Sequence, residues 1–222
     1  MRSRGGTFIG MCCATGPTSG KLYCVSICGR DAHYIGSMHK PFKFEYTNIA
    51  WEYSEPHFEA WKAGRTGYPI VDAAMRCMNS TAYMHNRLRM VTASFLAKHL
   101  LHDWRLGEQY FMLSFVDGDF SANNGGWGFA SSTGVDPQPY FRVFNPWLQS
   151  EKFDEDGEFI RTWISELKDI KGKEIHNPYA KSGTKAAAIA ERNGYPKPIV
   201  EHRFARERCL ARYKAGIGRD TA

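Results

Sequence analysis

The feature that most constrains the fold of this chain is the recurrence of apolar residues at three- and four-residue steps from about Ser37 onward. After Pro69, for example, apolar side chains stand at positions 70, 73, 74, 77 and 78, a spacing that places them on one face of a helix. The alternating pattern of half-buried strands is nearly absent. We therefore predict an all-α protein.

Proline, glycine and capping residues divide the pattern into six predicted helices. The third of these is capped by His85 or Asn86. The predicted helices cover Pro56–Gly64, Pro69–Met78, Asn86–Leu100, Glu108–Val116, Glu158–Leu167 and Ile199–Ala215. Between the fourth and fifth helices, Asp117–Glu151 shows no comparable period, and we predict a long functional loop there.

Composition excludes some classes of protein and leaves others open. The 222 residues are 43% hydrophobic and 23% charged, which rules out wholesale disorder. No apolar run approaches the roughly 18 residues of a membrane span, so we expect a soluble protein. Residues 181–222 carry ten Lys or Arg against four acids. This basic segment favours contact with an anionic partner, above all nucleic acid; a solvated helix face is the alternative.

The cysteines and the N-terminus bear on compartment and metal binding. Four of the six cysteines lie in the first 28 residues, and no secretory signal precedes them. We therefore expect a reducing compartment and a protein that is not secreted. Cys24, Cys28, His33 and His39 are zinc-ligand types but are too crowded for a normal finger, so we expect no metal site. We expect Cys77 and Cys209, which lie in helical patterns, to be buried free thiols.

One polar stretch has the composition of a ligand site: Val116-Asp-Gly-Asp-Phe-Ser-Ala-Asn-Asn-Gly-Gly-Trp127. Its carboxylates and amides suit sugar hydroxyls or the edge of a heteroaromatic ring, and Gly-Gly permits close approach of a flat ligand. A calcium loop is a competing interpretation, although it lacks the closing Glu. A polar turn with a helix cap is the other, and the residues alone favour that interpretation.

Two further groups of residues are open to more than one interpretation. In Met84-His-Asn-Arg-Leu-Arg-Met90, one arginine can pair with a carboxylate while the other reaches a phosphate. Two surface arginines beside a capping Asn are the simpler alternative. The tryptophans Trp51, Trp104 and Trp127 stand on separate elements, and each is most simply a core residue. Only their arrangement in three dimensions would make them an electron-transfer chain.

Taken together, these motifs resemble the photolyase/cryptochrome family, in its order and spacing. The resemblance is carried by Gly64-Arg-Thr-Gly-Tyr-Pro-Ile-Val-Asp-Ala-Ala-Met-Arg76, the 84–90 heptapeptide, Val116-Asp-Gly-Asp119, Asn123-Asn-Gly-Gly-Trp127 and Tyr140-Phe-Arg-Val-Phe-Asn-Pro146. Among family members, the chain is most similar to class I cyclobutane pyrimidine dimer photolyases. The resemblance implies an all-α fold, the C-terminal part of a helical FAD-binding domain over residues 37–222. Residues 1–36 are unmatched, and we expect them to be a flexible segment.

The resemblance also implies which residues contact FAD and which transfer electrons to it. Asp117, Gly118 and Asp119 would contact the flavin ring and ribose, with Asp117 paired to Arg89. Asn123 would face flavin N5, where a neutral amide adds no charge. The three tryptophans named above would relay an electron from the surface to the photoexcited flavin.

The implied activity is light-driven DNA repair, in which excited reduced FAD donates an electron that splits a flipped-out pyrimidine dimer. The implied partner is DNA containing such dimers, bound by a monomer in the nucleus of a eukaryote or otherwise in the cytoplasm. Phe129 stands where these photolyases usually have a lesion-packing Trp. The other implied DNA contacts are Asn86, Arg87 and Met90 at the lesion pocket, and Arg142.

The sequence departs from the family's pattern on its N-terminal side. The family's antenna domain and its flavin phosphate-binding loop are not matched, so the domain is expected to be truncated there and no antenna chromophore is expected. We expect the chain alone to bind FAD poorly and to repair little. Two alternatives stay open: a cryptochrome-type blue-light photoreceptor, and a non-catalytic DNA-binding fragment.

Overall fold

In a computed structural model of the chain, structure is described for Pro41 and for residues 44–134 and 139–218. Within these ranges the secondary structure is helical throughout, without strands, which confirms the all-α prediction. The helices are α1 (Glu55–Lys62), α2 (Pro69–Thr81), α3 (Asn86–Ser94), α4 (Trp104–Ser114), α5 (Phe120–Ala130), α6 (Pro146–Phe153), α7 (Glu158–Trp163), α8 (Lys185–Arg192) and α9 (His202–Gly216). A π-helical turn, Phe95–His99, continues α3, and short 3-10 turns cover Phe44–Asn48, Ser165–Leu167 and Gly172–His176.

Local sequence signals explain where most of these helices begin. Proline occupies the first turn of α1, α2 and α6, where its missing N–H group breaks no hydrogen bond. Side chains cap the N-termini of α3, α4, α5, α6, α8 and α9. Of the two candidates for the cap of α3, His85 is the one used: its Nδ1 accepts from the backbone N–H of Arg87 at 3.2 Å.

The predicted loop over Asp117–Glu151 is wrong, because α5 and the start of α6 lie inside it. Three glycines in α5 disfavour a helix, and this weakens the apolar period. The helix forms because Asp119 caps its first turn and because Trp127 packs into the space above Gly107 of α4, where an added Cβ would lie 2.1 Å from the indole. Tertiary packing overrides local propensity here.

Other helices also differ from the pattern. The helix predicted from Glu108 begins at Trp104 because Asp103 caps it. The helix predicted over 158–167 ends at Trp163 and is followed by the separate turn Ser165–Leu167. The pattern does not predict α8 at all.

Among the residues that the structure describes, buried apolar side chains form three clusters. The largest packs α2, α3, α4 and α5 around Trp61, Trp127 and Phe111. A second surrounds α7 and α8, and a third joins α9 to the turn that begins at Phe44. These clusters hold the helices that carry the predicted site residues in fixed positions.

The predictions about cysteines, metals and membranes have different outcomes. Cys209 is a buried free thiol as predicted, whereas Cys77 is also free but only half-buried. The four zinc-type residues between Cys24 and His39 lie outside the described residues. In the part of the chain that the structure describes, no helix combines the length and apolarity needed to span a membrane.

Candidate functional site

The turn between α4 and α5 carries the first part of the candidate site. Arg89, on α3, places Nη2 2.9 and 2.8 Å from the two carboxylate oxygens of Asp117. Its Nε donates to the carbonyl of Met84 at 2.7 Å, and its guanidinium lies 3.8 Å from the ring centroid of Phe115. Arg89 is thus held on three sides, and the expected Arg89–Asp117 pair is present.

Asp119 and Gly118 shape the rest of this turn. Asp119 Oδ1 accepts from the N–H of Ala122 at 2.8 Å, so this carboxylate caps α5 and neutralises part of its N-terminal dipole. At Gly118, an added Cβ would lie 3.2 Å from the carbonyl oxygen of Phe115, which is tighter than an ordinary contact. Asp117, Gly118 and Asp119 are all exposed.

One turn into α5, Asn123 is oriented by Glu108 of α4. Its Nδ2 donates to the Glu108 carbonyl oxygen at 2.8 Å and to the Glu108 carboxylate at 3.2 Å. Both amide hydrogens are used in this way, so Oδ1 points elsewhere and has no hydrogen-bond donor among the described residues. Asn123 therefore offers a fixed, uncharged acceptor.

Part of α5 is open because it lacks side chains. A Cβ added at Gly125 or Gly126 would meet no atom within 4 Å, and both residues are exposed. Gly128, in contrast, packs on Gly134, where the added atom would lie 3.0 Å from a Cα. Gly126 follows Asn123 by three residues and is therefore its neighbour on the helix surface. We call the surface formed by Asn123 and Gly126 the Asn123 face.

The three predicted electron-transfer tryptophans differ in burial. Trp127 and Trp104 are 2% and 3% exposed, whereas Trp51 is half-buried. Among the described residues, direct ring contacts join none of the three to another. Trp51 instead meets the ring of Tyr213, with centroids 6.0 Å apart. A relay through these indoles therefore stays a prediction.

Trp127 has aromatic neighbours that sequence reasoning missed. Its ring centroid lies 5.1 Å from that of Phe111 and 6.1 Å from that of Trp61. These two rings also stack on each other at 5.7 Å. Their apolar spacing predicted core residues, and no sequence signal distinguishes them from the rest of the core.

The predicted DNA-contacting residues lie on three elements. Asn86 and Arg87 belong to the first turn of α3, and Met90 follows one turn later. Phe129 lies near the end of α5 and is half-buried, and Arg142 is exposed in the loop before α6.

Two of these residues have supports that the sequence did not reveal. The Arg87 guanidinium stacks on the exposed ring of Phe153 in α6, 4.7 Å from its centroid. The carbonyl of Arg142 accepts from the buried ammonium of Lys98 at 2.8 Å. The contact between Lys98 and Arg142 could have been suspected from the sequence, because Lys98 is a charged residue within the mainly apolar segment 91–101.

Comparison with known proteins places this arrangement in a family. The family model for the FAD binding domain of DNA photolyase matches residues 24–215, beginning upstream of Ser37. The chain belongs to the DNA photolyase family. The resemblance in sequence is thereby confirmed.

Curated relatives include two deoxyribodipyrimidine photo-lyases. The protein of Neurospora crassa is 62% identical over 189 residues, a match that covers 82% of this chain and 31% of the relative. The Escherichia coli protein is 56% identical over 177 residues, covering 80% of this chain and 37% of the relative. The match thus spans about a third of each relative's length.

Solved structures agree with the fold. A class III photolyase from Agrobacterium tumefaciens matches with a TM-score of 0.80 and 40% identity, covering 88% of this chain and 41% of that one. An archaeal photolyase from Sulfolobus tokodaii, solved with two FAD molecules, matches at 0.77 and 45%, covering 88% and 43%. A Synechocystis cryptochrome matches at 0.68 and 37%, covering 74% and 34%.

Proposed function

We propose that the described helices form one wall of the FAD site of a light-driven DNA repair enzyme that splits cyclobutane pyrimidine dimers. The observation that carries the proposal is the Asn123 face. A neutral amide is fixed there by Glu108 beside Gly126, whose missing side chain leaves room for a flat ligand. The photolyase relatives support the same activity.

The residues present fit a flavin. Asn123 Oδ1 is a free acceptor for a ring N–H, and Gly126 permits close approach of the ring. The amide nitrogen of Asn124 and the indole nitrogen of Trp127 are buried without a partner, so two polar atoms of α5 remain to be satisfied. Asp117 and Asp119 supply acceptors for ribose hydroxyls.

In this proposal, bound FAD would supply the light-driven electron-transfer chemistry that splits the dimer. The chain's residues would position the flavin and set the polarity of its surroundings. Asn123 offers hydrogen bonding without a charge, and Arg89 balances the charge of Asp117. Trp127, Trp104 and Trp51 would pass an electron inward from the surface.

We further propose that Asn86, Arg87, Met90, Phe129 and Arg142 contact dimer-containing DNA. Arg87 and Arg142 would bind phosphates and supply salt-dependent affinity, while Phe129 would give the lesion an aromatic surface. The protein would act as a monomer, in the nucleus of a eukaryote or otherwise in the cytoplasm. No antenna chromophore is included in this proposal.

The decisive experiment follows FAD binding and dimer splitting by the purified chain. Titration is measured by quenching of flavin fluorescence, and repair by loss of the dimer from an oligonucleotide under blue light with reductant. We expect weak but saturable binding, reduced in Asn123→Ala, and slow repair. Tight stoichiometric binding would contradict the expectation that this chain alone binds FAD poorly.

A second candidate is blue-light signalling, which is favoured by the match to the Synechocystis cryptochrome. Bound flavin together with an intact dimer after illumination would favour signalling and reject repair. Absence of any flavin binding would reject both. Salt-dependent DNA binding that ignores both lesion and light would then support the third possibility, a DNA-binding fragment.

A further inference from the structure

Lys98 is a charged residue in an environment that disfavours charge. It lies in the π-helical turn after α3, with none of its surface exposed to solvent. Burial lowers the pKa of its ammonium group to about 8. Among the described residues, the ammonium donates one hydrogen bond, to the backbone carbonyl of Arg142 at 2.8 Å. A lysine buried for a single carbonyl does not increase stability, since an apolar side chain would fill the space without the desolvation penalty.

The carbonyl that Lys98 holds belongs to a tight turn. The N–H of Arg142 donates to the carbonyl of Pro139 at 2.8 Å, which closes four residues into a turn. Within it, the Tyr140 ring stacks on the buried ring of Tyr213, with centroids 6.3 Å apart. Phe141, in contrast, is 57% exposed. The turn therefore has an inward side anchored to the core and an outward side directed to solvent.

Arg142 lies at the end of this turn with its backbone fixed and its side chain free. Its N–H and its C=O are both hydrogen-bonded, so its backbone torsions are constrained. Its guanidinium is exposed and forms no hydrogen bond or ion pair with any described residue. Because the backbone of Arg142 is already constrained in the free protein, less conformational entropy is lost when its side chain binds an anion.

We propose that Lys98 is a positioning residue that holds Arg142 in place for a DNA phosphate. The DNA part of this inference rests on the proposed function, whereas the anchoring of the turn does not. The long lysine side chain crosses from the π-helical turn to a backbone 44 residues away and supplies a charged donor, which binds a carbonyl more strongly than a neutral one.

The anchoring is tested by hydrogen–deuterium exchange of the full chain with Lys98→Met, which keeps the length of the side chain and removes the donor. We expect faster exchange in peptides covering residues 139–145. The control is Ile160→Val, a change of one methylene in the second core cluster, which should leave those peptides unchanged. Unchanged protection of 139–145 in Lys98→Met overturns the inference, whatever happens with DNA.

The DNA part is tested with a duplex oligonucleotide that contains one thymine dimer. Arg142→Ala and Lys98→Met should each weaken binding about tenfold. Each should also lower the slope of log affinity against log salt by about one, although Lys98 touches no phosphate. The double variant should be no weaker than Arg142→Ala alone.

These outcomes separate the inference from the proposed function. Additive losses in the double variant, or an unchanged salt slope in Lys98→Met, overturn the role of Lys98 in DNA binding. A wild-type chain that binds no DNA, with or without a dimer, refutes the proposed DNA contact instead, and the exchange experiment still decides the anchoring.

Discussion

The Asn123 face and the polar network around Asp72 both lie among packed helices, but they satisfy their polar atoms differently. The Asp72 network consists of the Asp72 carboxylate and its four donors: the N–H and hydroxyl of Thr66, the N–H of Gly67 and the hydroxyl of Tyr195, at 2.6 to 2.9 Å. Every donor is internal, and Asp72 is fully buried. At the Asn123 face, the amide oxygen of Asn123 accepts no hydrogen bond from a described residue, and the buried amide nitrogen of Asn124, the next residue of α5, has no partner.

This difference teaches which region holds the fold together and which is available to a ligand. A fully satisfied buried network stabilises only its own structure, because no hydrogen-bonding capacity is left over. Unsatisfied polar atoms beside open space weaken the free protein and become favourable when a ligand supplies the missing partners. The predictions below test this division, from the largest expected effect to the smallest.

Asp72→Ala should be the most destabilising change. It leaves four buried donors without an acceptor, so we expect the free energy of unfolding to fall by about 4 kcal/mol. Chemical denaturation followed by circular dichroism measures this fall. Asn123→Ala is the matched change at the open face and should lower the free energy of unfolding by less than about 1 kcal/mol. Equal losses in the two variants would remove the distinction between the regions.

The buried core around His99 should also make the free energy of unfolding depend on pH, which the Asn123 face should not. Burial, together with the charges of His202, Lys98 and Arg208, lowers the pKa of His99 to about 3. An unfolded histidine takes up its proton near pH 6.5, so stability is lost as the pH falls from 6.5 toward 3, at up to about 1.4 kcal/mol per pH unit. Unfolding measured at several pH values should show this slope, and His99→Leu should flatten it. A slope unchanged in that variant would assign the effect to other groups.

Gly126 and Gly128 of α5 allow the same substitution to be made once at the open Asn123 face and once at a packed contact. Gly128→Ala should destabilise the fold by about 2 kcal/mol, because the new methyl group meets the backbone of Gly134. Gly126→Ala should raise the free energy of unfolding by about 0.5 kcal/mol, since alanine favours a helix and meets no atom. It should weaken FAD binding at least about threefold, by occupying the space above the Asn123 face. Tighter FAD binding by Gly126→Ala would show that the ring does not approach this face.

A small effect is expected at the ion pair that joins α2 to the turn after α7. Arg76 donates to both carboxylate oxygens of Glu166 at 2.8 and 2.9 Å, and these bonds lower the pKa of Glu166. Glu166→Gln should reduce the free energy of unfolding by about 1 kcal/mol at neutral pH. Because a lowered carboxyl pKa contributes stability that is lost as pH falls through it, the difference between variant and wild type should shrink below about pH 4. A difference that is constant with pH would exclude the charge as its source.

Much of the helical scaffold could be predicted from local sequence. Proline near the start of α1 and α2, the apolar spacing after Pro69 and the basic terminal helix all correspond to helices in the structure. The failures at α5 and α8 have different causes. In α5 three glycines masked a helix that depends on contacts with α4. In α8 a short alanine-rich segment carried too few large apolar residues to show a period.

The candidate site was less predictable than the fold, because its geometry joins residues far apart in sequence. The resemblance identified Arg89, Asp117 and Asn123, and the structure shows the local contacts that hold each of them. It did not identify Glu108 as the group that orients Asn123, nor Phe153 as the support for Arg87. Each of these residues has an ordinary helical context, and only its partner gives it a role.

The sequence by itself determined that the chain is helical, where most of its helices begin and which family it belongs to, since periodicity, caps and motifs are properties of neighbouring residues. Only the tertiary structure decided which polar groups are satisfied and which remain available. The acceptor for Lys98 lies 44 residues away and one donor to Asp72 lies 123 residues away. Hydrogen bonding depends on distance in space, and folding alone brings such partners together.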